Sequence, residues 1–195
     1  MEESPARIVS SEAERLILVD RQDNETGLMS KAECHDGDGI LHRAFSVFLF
    51  NQNGELLLQQ RTAGKRLWPL YWSNSCCSHP REGESIEVAT DRRLQDELHT
   101  GSDLEFVYKF TYQARFGTQG SEHELCHVFL GRVVEAPSAN ETEIAALRYV
   151  STAALERELA ENPDAFTPWL KLEWHRLRSE FSTALARYTG PVSGQ

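Results

Sequence analysis

The chain has 195 residues, 40% apolar and 26% charged, and its 30 Asp and Glu against 20 Lys and Arg give a formal net charge of −10. That length is the expectation for a single domain, residues 1–195, with a continuous core; that charge argues against a general nucleic-acid or anionic-membrane binder, so an anionic substrate would need a local basic patch. No run approaches the roughly 20 apolar residues of a membrane span, and the acidic start MEESPARIVSSEAER is unlike a secretory leader.

The chain therefore reads as cytoplasmic. Its four cysteines, Cys34, Cys76, Cys77 and Cys126, are expected as free thiols, and without a CxxC pair a Cys-rich structural zinc site is not expected.

Residues 1–14 are polar and lack an apolar period that demands burial, so they read as a loose arm with no visible function. Leu16–Val19 is a short apolar run closed by turn formers from Asp20 to Gly27, as for a first strand. The stretch KAECHDGDG, which contains Lys31 and His35, reads as loop from its Gly and Asp content. His42–Phe50 and Glu55–Gln60 are β-prone around a turn at 51–54, a hairpin expected at the centre of the fold. Trp68 and Trp72 then flank Pro69 and read as packing residues.

Cys77 and His79 are two apart, so in an extended segment they share a face. Pro80 ends the strand, Gly83 turns the chain, and Ser85 can cap a helix running to Leu98 with Ile86, Ala89, Leu94 and Leu98 near its apolar stripe. Glu84, Arg92, Arg93, Asp96 and Glu97 lie along the rest of it.

From Phe106 to Phe116 the pattern alternates, with Phe106, Tyr108, Phe110, Tyr112 and Phe116 expected on one face. A second strand, from about Glu122 to Val134, completes a hairpin and puts Glu122, Glu124, Cys126 and Val128 on one side. Two carboxylates at i and i+2 repel unless a cation or a proton lies between them. After a loop at 137–143 and a strand at 145–150, Ser151 or Thr152 caps a helix ending near Asn162. The longest helix is expected from Thr167 and Pro168 to Gly190, with Leu170, Trp174, Leu177, Phe181 and Leu185 on its stripe and Trp169 in its first turn.

The segment N-S-x-C-x-H-P followed by G-E-S-x-x-x-A-x-x-R-R-x-x-x-E-L resembles the degenerate Nudix helix of the type I isopentenyl-diphosphate isomerases. LHRAFSVFLFNQNGELLLQQR, the pair Glu122-x-Glu124 and FTPW fall in the same order and spacing, so the likeness covers roughly Leu16 to Phe181. It implies an α/β (α+β) Nudix fold: a mixed β-sheet between helices, with an N-terminal arm, a core at about 40–150 and added helices at 151–190. It implies interconversion of isopentenyl and dimethylallyl diphosphate through a 1,3 proton shift, on a small-molecule substrate alone, by a monomer or weak dimer.

The resemblance also implies a site. His35, His42, His79, Glu122 and Glu124 match the family's divalent-metal ligands, a donor set that suits zinc or manganese and leaves magnesium possible. Glu97 matches a ligand to a second ion, a magnesium bridged to the substrate diphosphate. Cys77 and Glu124 match the acid/base pair, Tyr112 a hydroxyl bonded within it, and Trp169 an indole over the reacting carbons. Lys31, Arg61, Lys65, Ser78 and Arg93 match diphosphate-contacting positions. For Cys77 to act as a base at neutral pH its pKa must be lowered or the thiol directly coupled, which neighbouring cations are expected to achieve. His99, His123, His127 and His175 have no match and read as surface or packing residues.

Two rival readings are weaker. A hydrolytic Nudix box, G-x5-E-x7-R-E-U-x-E-E-x-G-U with U aliphatic, fits Glu84 as its first Glu. However, Ser78 stands at the opening Gly, Arg93 at the second Glu, Asp96-Glu97 at Glu-Glu and His99 at the last Gly, which moves helix termination to Gly101. That thinned array disfavours hydrolysis of another diphosphate. A catalytically silent binding module would leave Cys77, Glu124, three histidines and Trp169 without a purpose.

Overall fold

A strand that is apolar on both faces belongs in the middle of a sheet, and His42–Phe50 is buried at every position except Arg43. The computed structural model describes residues 8–190. In chain order its elements are β1 (Arg15–Val19), β2 (Glu25–Ser30), α1 (Lys31–Cys34), β3 (His42–Phe50), β4 (Leu56–Arg61), β5 (Trp72–Ser73), β6 (Cys76–Ser78), α2 (Ile86–Leu98), β7 (Glu105–Phe116), β8 (Gly120–Arg132), β9 (Ile144–Val150), α3 (Thr152–Glu161), a 3-10 turn (Pro163–Ala165), α4 (Pro168–Ser179) and α5 (Ser182–Thr189).

The sheet is mixed. β3 runs parallel to β8 from His42 opposite Glu124 to Phe50 opposite Arg132, and antiparallel to β6, where Ser46 faces Cys77. Successive residues of β3 serve opposite cores. Phe48 and Phe50 pack with Leu170, Trp174 and Leu177 of α4 and Leu185 of α5. Phe45, Val47 and Leu49 pack with Ala89, Leu94 and Leu98 of α2. Helices therefore cover both faces, as the sequence implied. No helix among the described residues is long and apolar enough to cross a membrane.

Several expectations need correction. The KAECHDGDG stretch opens with a helical turn, α1, because Ser30 and Glu33 form a reciprocal capping box, and His35 closes it. The β3–β4 hairpin is not the centre: those strands pair only at Phe50 and Leu56, and β4 pairs instead with β9 and β5. Asp20–Gly27 is not all turn, since β2 begins at Glu25 and pairs with β1.

A register shift between Phe106 and Tyr108 turns Phe106 to the opposite face. There it meets His127 and Phe129, while Val107 packs against the core. Helix α2 is ended by His99 itself, in the left-handed conformation at φ 50°, and not by Gly101. The expected longest helix is two, α4 and α5, separated at Glu180–Phe181, where the Phe181 ring stacks on Tyr108 at 4.5 Å. Of the arm, residues 1–7 lie outside the described residues; Val9, however, is buried, and its carbonyl accepts from Arg81 and Arg93.

Candidate active site

Three adjacent strands and one helix end bring the titratable residues together. His42 opens β3 opposite Glu124 of β8. Period two carries Cys77 of β6 and His79 just beyond it onto the same side, and both line one cavity with His35, Glu122, Glu124, Tyr112 and Trp169. His35 arrives from the end of α1, whose carbonyl at His35 accepts from the Ser121 N–H at 3.0 Å. Only glycine permits that approach: a Cβ on Gly120, at φ +146°, would sit 2.2 Å from the same carbonyl oxygen.

One ligand atom each from His35, His42, His79, Glu122 and Glu124 lies within 4.8 Å of the others, and all five residues are buried. His35 Nε2 is 2.9 Å from Glu122, and His79 Nε2 is 2.8 Å from Glu124 Oε1. His42 Nδ1 donates to the Ile40 carbonyl at 2.7 Å, which directs its other nitrogen inward. That inward Nε2 is buried without a hydrogen bond, and His35 Nε2 and Glu122 Oε2, 2.9 Å apart, meet only each other and at poor hydrogen-bond geometry. Orphaned buried nitrogens converging with carboxylate oxygens fit a divalent ion better than any closed hydrogen-bond scheme.

The electrostatics agree with that fit. Burial, reinforced by His35, pushes His42 down to about 4, and burial with His42 and His35 holds His79 well below the usual imidazole value. Both imidazoles are neutral, as ligands must be. The two carboxyls separate. Burial and then Glu122 push Glu124 well above the carboxylate range, whereas at Glu122 burial is outweighed chiefly by the adjacent His35, and its carboxyl sits well below that range.

Around the Glu124 carboxyl stand the other groups. Tyr112 Oη donates to Glu124 Oε2 at 2.7 Å. Cys77 is half-buried, and burial pushes its thiol up to about 12, with Arg61 pulling the other way. Trp169 is buried, meets Trp68 edge-on at 5.3 Å, and carries the Arg61 guanidinium 5.2 Å from its ring centroid.

Lys31, Arg61, Lys65, Ser78 and Arg93 all line this cavity, joined by Arg66, which the sequence did not single out. Each long cation already has a partner. Lys31 donates to Ser10 Oγ at 2.6 Å, Arg61 to the Leu67 and Trp68 carbonyls at 2.9 and 3.0 Å, and Lys65 pairs with Glu143. Arg93 bridges Glu97, Glu143 and the Val9 carbonyl. Burial works against its charge, and Glu97 and Glu143 outweigh it.

Glu97 is not brought to the five-ligand group. The resemblance gives it to a separate, substrate-bound ion; it is buried, and its Oε1 accepts from Arg93 at 2.7 Å and lies 3.7 Å from Cys76 Sγ. Of the unmatched histidines, His127 pairs with Asp23, His123 lies 3.3 Å from the Gly39 carbonyl and His99 lies 3.0 Å from that of Ser138, all packing roles; His175 is exposed. Glu143 was hidden in a polar loop, and Ser73, Asn74 and Glu173 are buried polar groups with no local pattern to mark them.

Residues 40–170 match the NUDIX domain family. An isopentenyl-diphosphate Delta-isomerase 1 of Photorhabdus laumondii is 41% identical over 163 residues, 83% of this chain and 93% of its own. An isopentenyl-diphosphate Delta-isomerase of Nocardia farcinica is 45% identical over 154 residues, 78% of this chain and 88% of its own. Among solved structures, one from Deinococcus radiodurans superposes with a TM-score of 0.63 at 22% identity, covering 76% of this chain and 90% of its own. A MutT NUDIX hydrolase from Burkholderia pseudomallei gives 0.55 at 17%, covering 70% and 98%. At those identities the structures establish the fold alone, and the sequence relatives establish the rest: the chain belongs to the NUDIX domain family and, within it, to the isopentenyl-diphosphate Delta-isomerases.

Proposed function

We propose that the protein interconverts isopentenyl and dimethylallyl diphosphate. The observation that carries this reading is one cavity lined by a thiol, Cys77, a carboxyl, Glu124, a buried indole, Trp169, and cationic side chains. A 1,3 proton shift needs one group to add a proton to the alkene and another to remove one from the opposite face. Cys77 and Glu124, on β6 and β8 at either side of β3, are the pair available.

A divalent ion held by His35, His42, His79, Glu122 and Glu124, with zinc or manganese preferred by the donor set and magnesium admitted, would add positive charge beside Glu124 and favour its ionised form. Tyr112 holds the other oxygen of that carboxyl by a hydrogen bond. Trp169 and Trp68 wall off water, and the Trp169 ring face offers about 2 kcal/mol or more to a desolvated cation at the branched carbon, roughly thirtyfold in rate. The rim, Lys31, Arg61, Lys65 and Arg93 with Ser78, anchors the diphosphate and fixes the hydrocarbon end over the acid/base pair.

A hydrolase would need carboxylates on α2 and just before it free to grip metal ions at the phosphates. Here Glu84 takes Arg92 in a two-pronged pair, at 2.7 Å from Nε and from Nη2, and Glu97 takes Arg93. Incubating the metal-loaded protein with isopentenyl diphosphate, and scoring dimethylallyl diphosphate against released phosphate, decides between them. Phosphate without isomer would overturn the proposal.

A further inference from the structure

Between the strand segment carrying Cys77 and the helix carrying Trp169 lies a polar junction closed to solvent. Ser73, Asn74 and Thr167 each have no exposed surface, and Trp169 is 3% exposed. The Trp169 indole N–H, which can only donate, reaches Ser73 Oγ at 2.9 Å, and the Thr167 hydroxyl reaches the same oxygen at 3.2 Å. Ser73 in turn donates to Asn74 Oδ1 at 3.0 Å.

The Asn74 amide has one allowed orientation, because its Nδ2 donates to the Val47 carbonyl at 3.2 Å and the Cys76 carbonyl at 2.9 Å. Every member is then satisfied, and the direction of each proton is determined. The Ser73 hydroxyl uses both lone pairs and its single hydrogen, which leaves no lone pair for the Cys77 S–H although Sγ lies 3.9 Å away.

We propose that Ser73, oriented by Asn74, is a positioning residue for the reaction: it fixes the Trp169 indole in the wall of the cavity and locks that indole to the β6 segment that presents Cys77. The inference rests on the isomerase reading for its effect on rate, but not for its geometry. Indole and thiol belong to segments more than 90 residues apart in sequence, and this junction is what sets one against the other. The backbone reinforces it, since the Thr167 N–H donates to the Trp72 carbonyl at 2.9 Å. An indole free to tilt about its side-chain bonds would present less of its face to a developing cation, and a buried donor without its acceptor would seek another position.

The test compares Ser73→Ala and Ser73→Thr in the metal-loaded protein, with two readouts. The first is the indole N–H resonance of Trp169, assigned by its absence in Trp169→Phe. It should shift upfield in Ser73→Ala, and Ser73→Thr, which keeps the hydroxyl, should restore it. The second is steady-state turnover: kcat should fall about tenfold in Ser73→Ala with KM nearly unchanged, and recover in Ser73→Thr. Should Ser73→Ala fail to fold, Ser73→Cys keeps the volume with a weak acceptor and carries the same comparison.

A wild-type indole resonance in Ser73→Ala, or wild-type kcat with the resonance shifted, would overturn the inference. If the unsubstituted protein makes no dimethylallyl diphosphate, it is the isomerase reading that fails, and the resonance alone still decides whether Ser73 holds the indole.

Discussion

Tyr112 and Glu124 are direct partners across the β7–β8 pair, and the Tyr112 hydroxyl donates to Glu124 Oε2 at 2.7 Å while the other oxygen of the same carboxyl lies 2.8 Å from His79 Nε2. One carboxyl thus serves two neighbours, the phenol with one oxygen and the imidazole group with the other. Tyr112→Phe removes only the first. A hydrogen bond to an ionised carboxylate contributes about 1.5–3 kcal/mol, so kcat should fall by about 10- to 100-fold with metal content unchanged. Steady-state kinetics beside metal analysis checks this, and an unaltered kcat would remove Tyr112 from the acid/base group.

The five convergent ligand atoms set the second expectation. His79→Ala combined with Glu122→Ala removes two of them and leaves His35 and His42 facing one carboxyl. Stoichiometric divalent metal should be lost on purification. Metal retained at unchanged affinity would mean that the ion sits elsewhere.

Adjacent cysteines give a third. Cys77 lines the cavity, whereas Cys76, one residue away on an extended strand, has no exposed surface and packs among Phe45, Val47, Leu94 and Leu98. Cys77→Ala should abolish isomerisation. Cys76→Ala should keep most of it and lose about 1 kcal/mol of stability to the small void. The opposite pattern, seen in turnover and urea unfolding, would place the wrong thiol at the site.

What could be read from the sequence follows the range of the interaction concerned. Spacing of two put Cys77 with His79 on one face of their segment, and Glu122 with Glu124 on one face of theirs, because strand period is a local property. Local signals that compete are harder. Ser30-Lys31-Ala32-Glu33 is a capping box, yet the Gly and Asp that follow it dominate the composition and suggest a loop. Phe106 alternates perfectly on paper, and only the pairing of β7 with β8 shows that the chain slips one residue beside it.

Buried polar residues are the extreme case. Ser73 and Trp169, 96 residues apart, carry no mark of each other, and Glu143 sits in a stretch whose polarity suggests nothing but solvent. Burial of a polar side chain is decided by tertiary partners, so composition alone assigns such residues to the surface. The metal group was legible as a set only through resemblance, since each histidine by itself is an ordinary residue.

Glu173 is the buried group that the proposed reaction leaves unused, and it supports a test of its own. It follows Trp169 by one turn of α4, has no exposed surface, and accepts from Cys126 Sγ at 3.4 Å, while its Oε2 has no hydrogen-bond partner among the described residues. Burial pushes its carboxyl up to about 8, although Ser46 and Cys126 pull it down. In the unfolded chain the group titrates near 4.5. Below that pH both states carry the proton and there is no penalty. As pH rises from there toward 8 the unfolded state ionises while the folded state does not, so stability declines through that window and levels off above it. The loss is about 3–5 kcal/mol. Glu173→Gln keeps the shape of the neutral acid and cannot ionise. Urea unfolding at pH 5 and pH 8.5 should therefore show the variant close to the unsubstituted protein at the lower pH and clearly more stable at the higher. Parallel pH dependence in the two proteins would mean that Glu173 is ionised inside the fold and that its charge is met by a partner beyond Ser46 and Cys126.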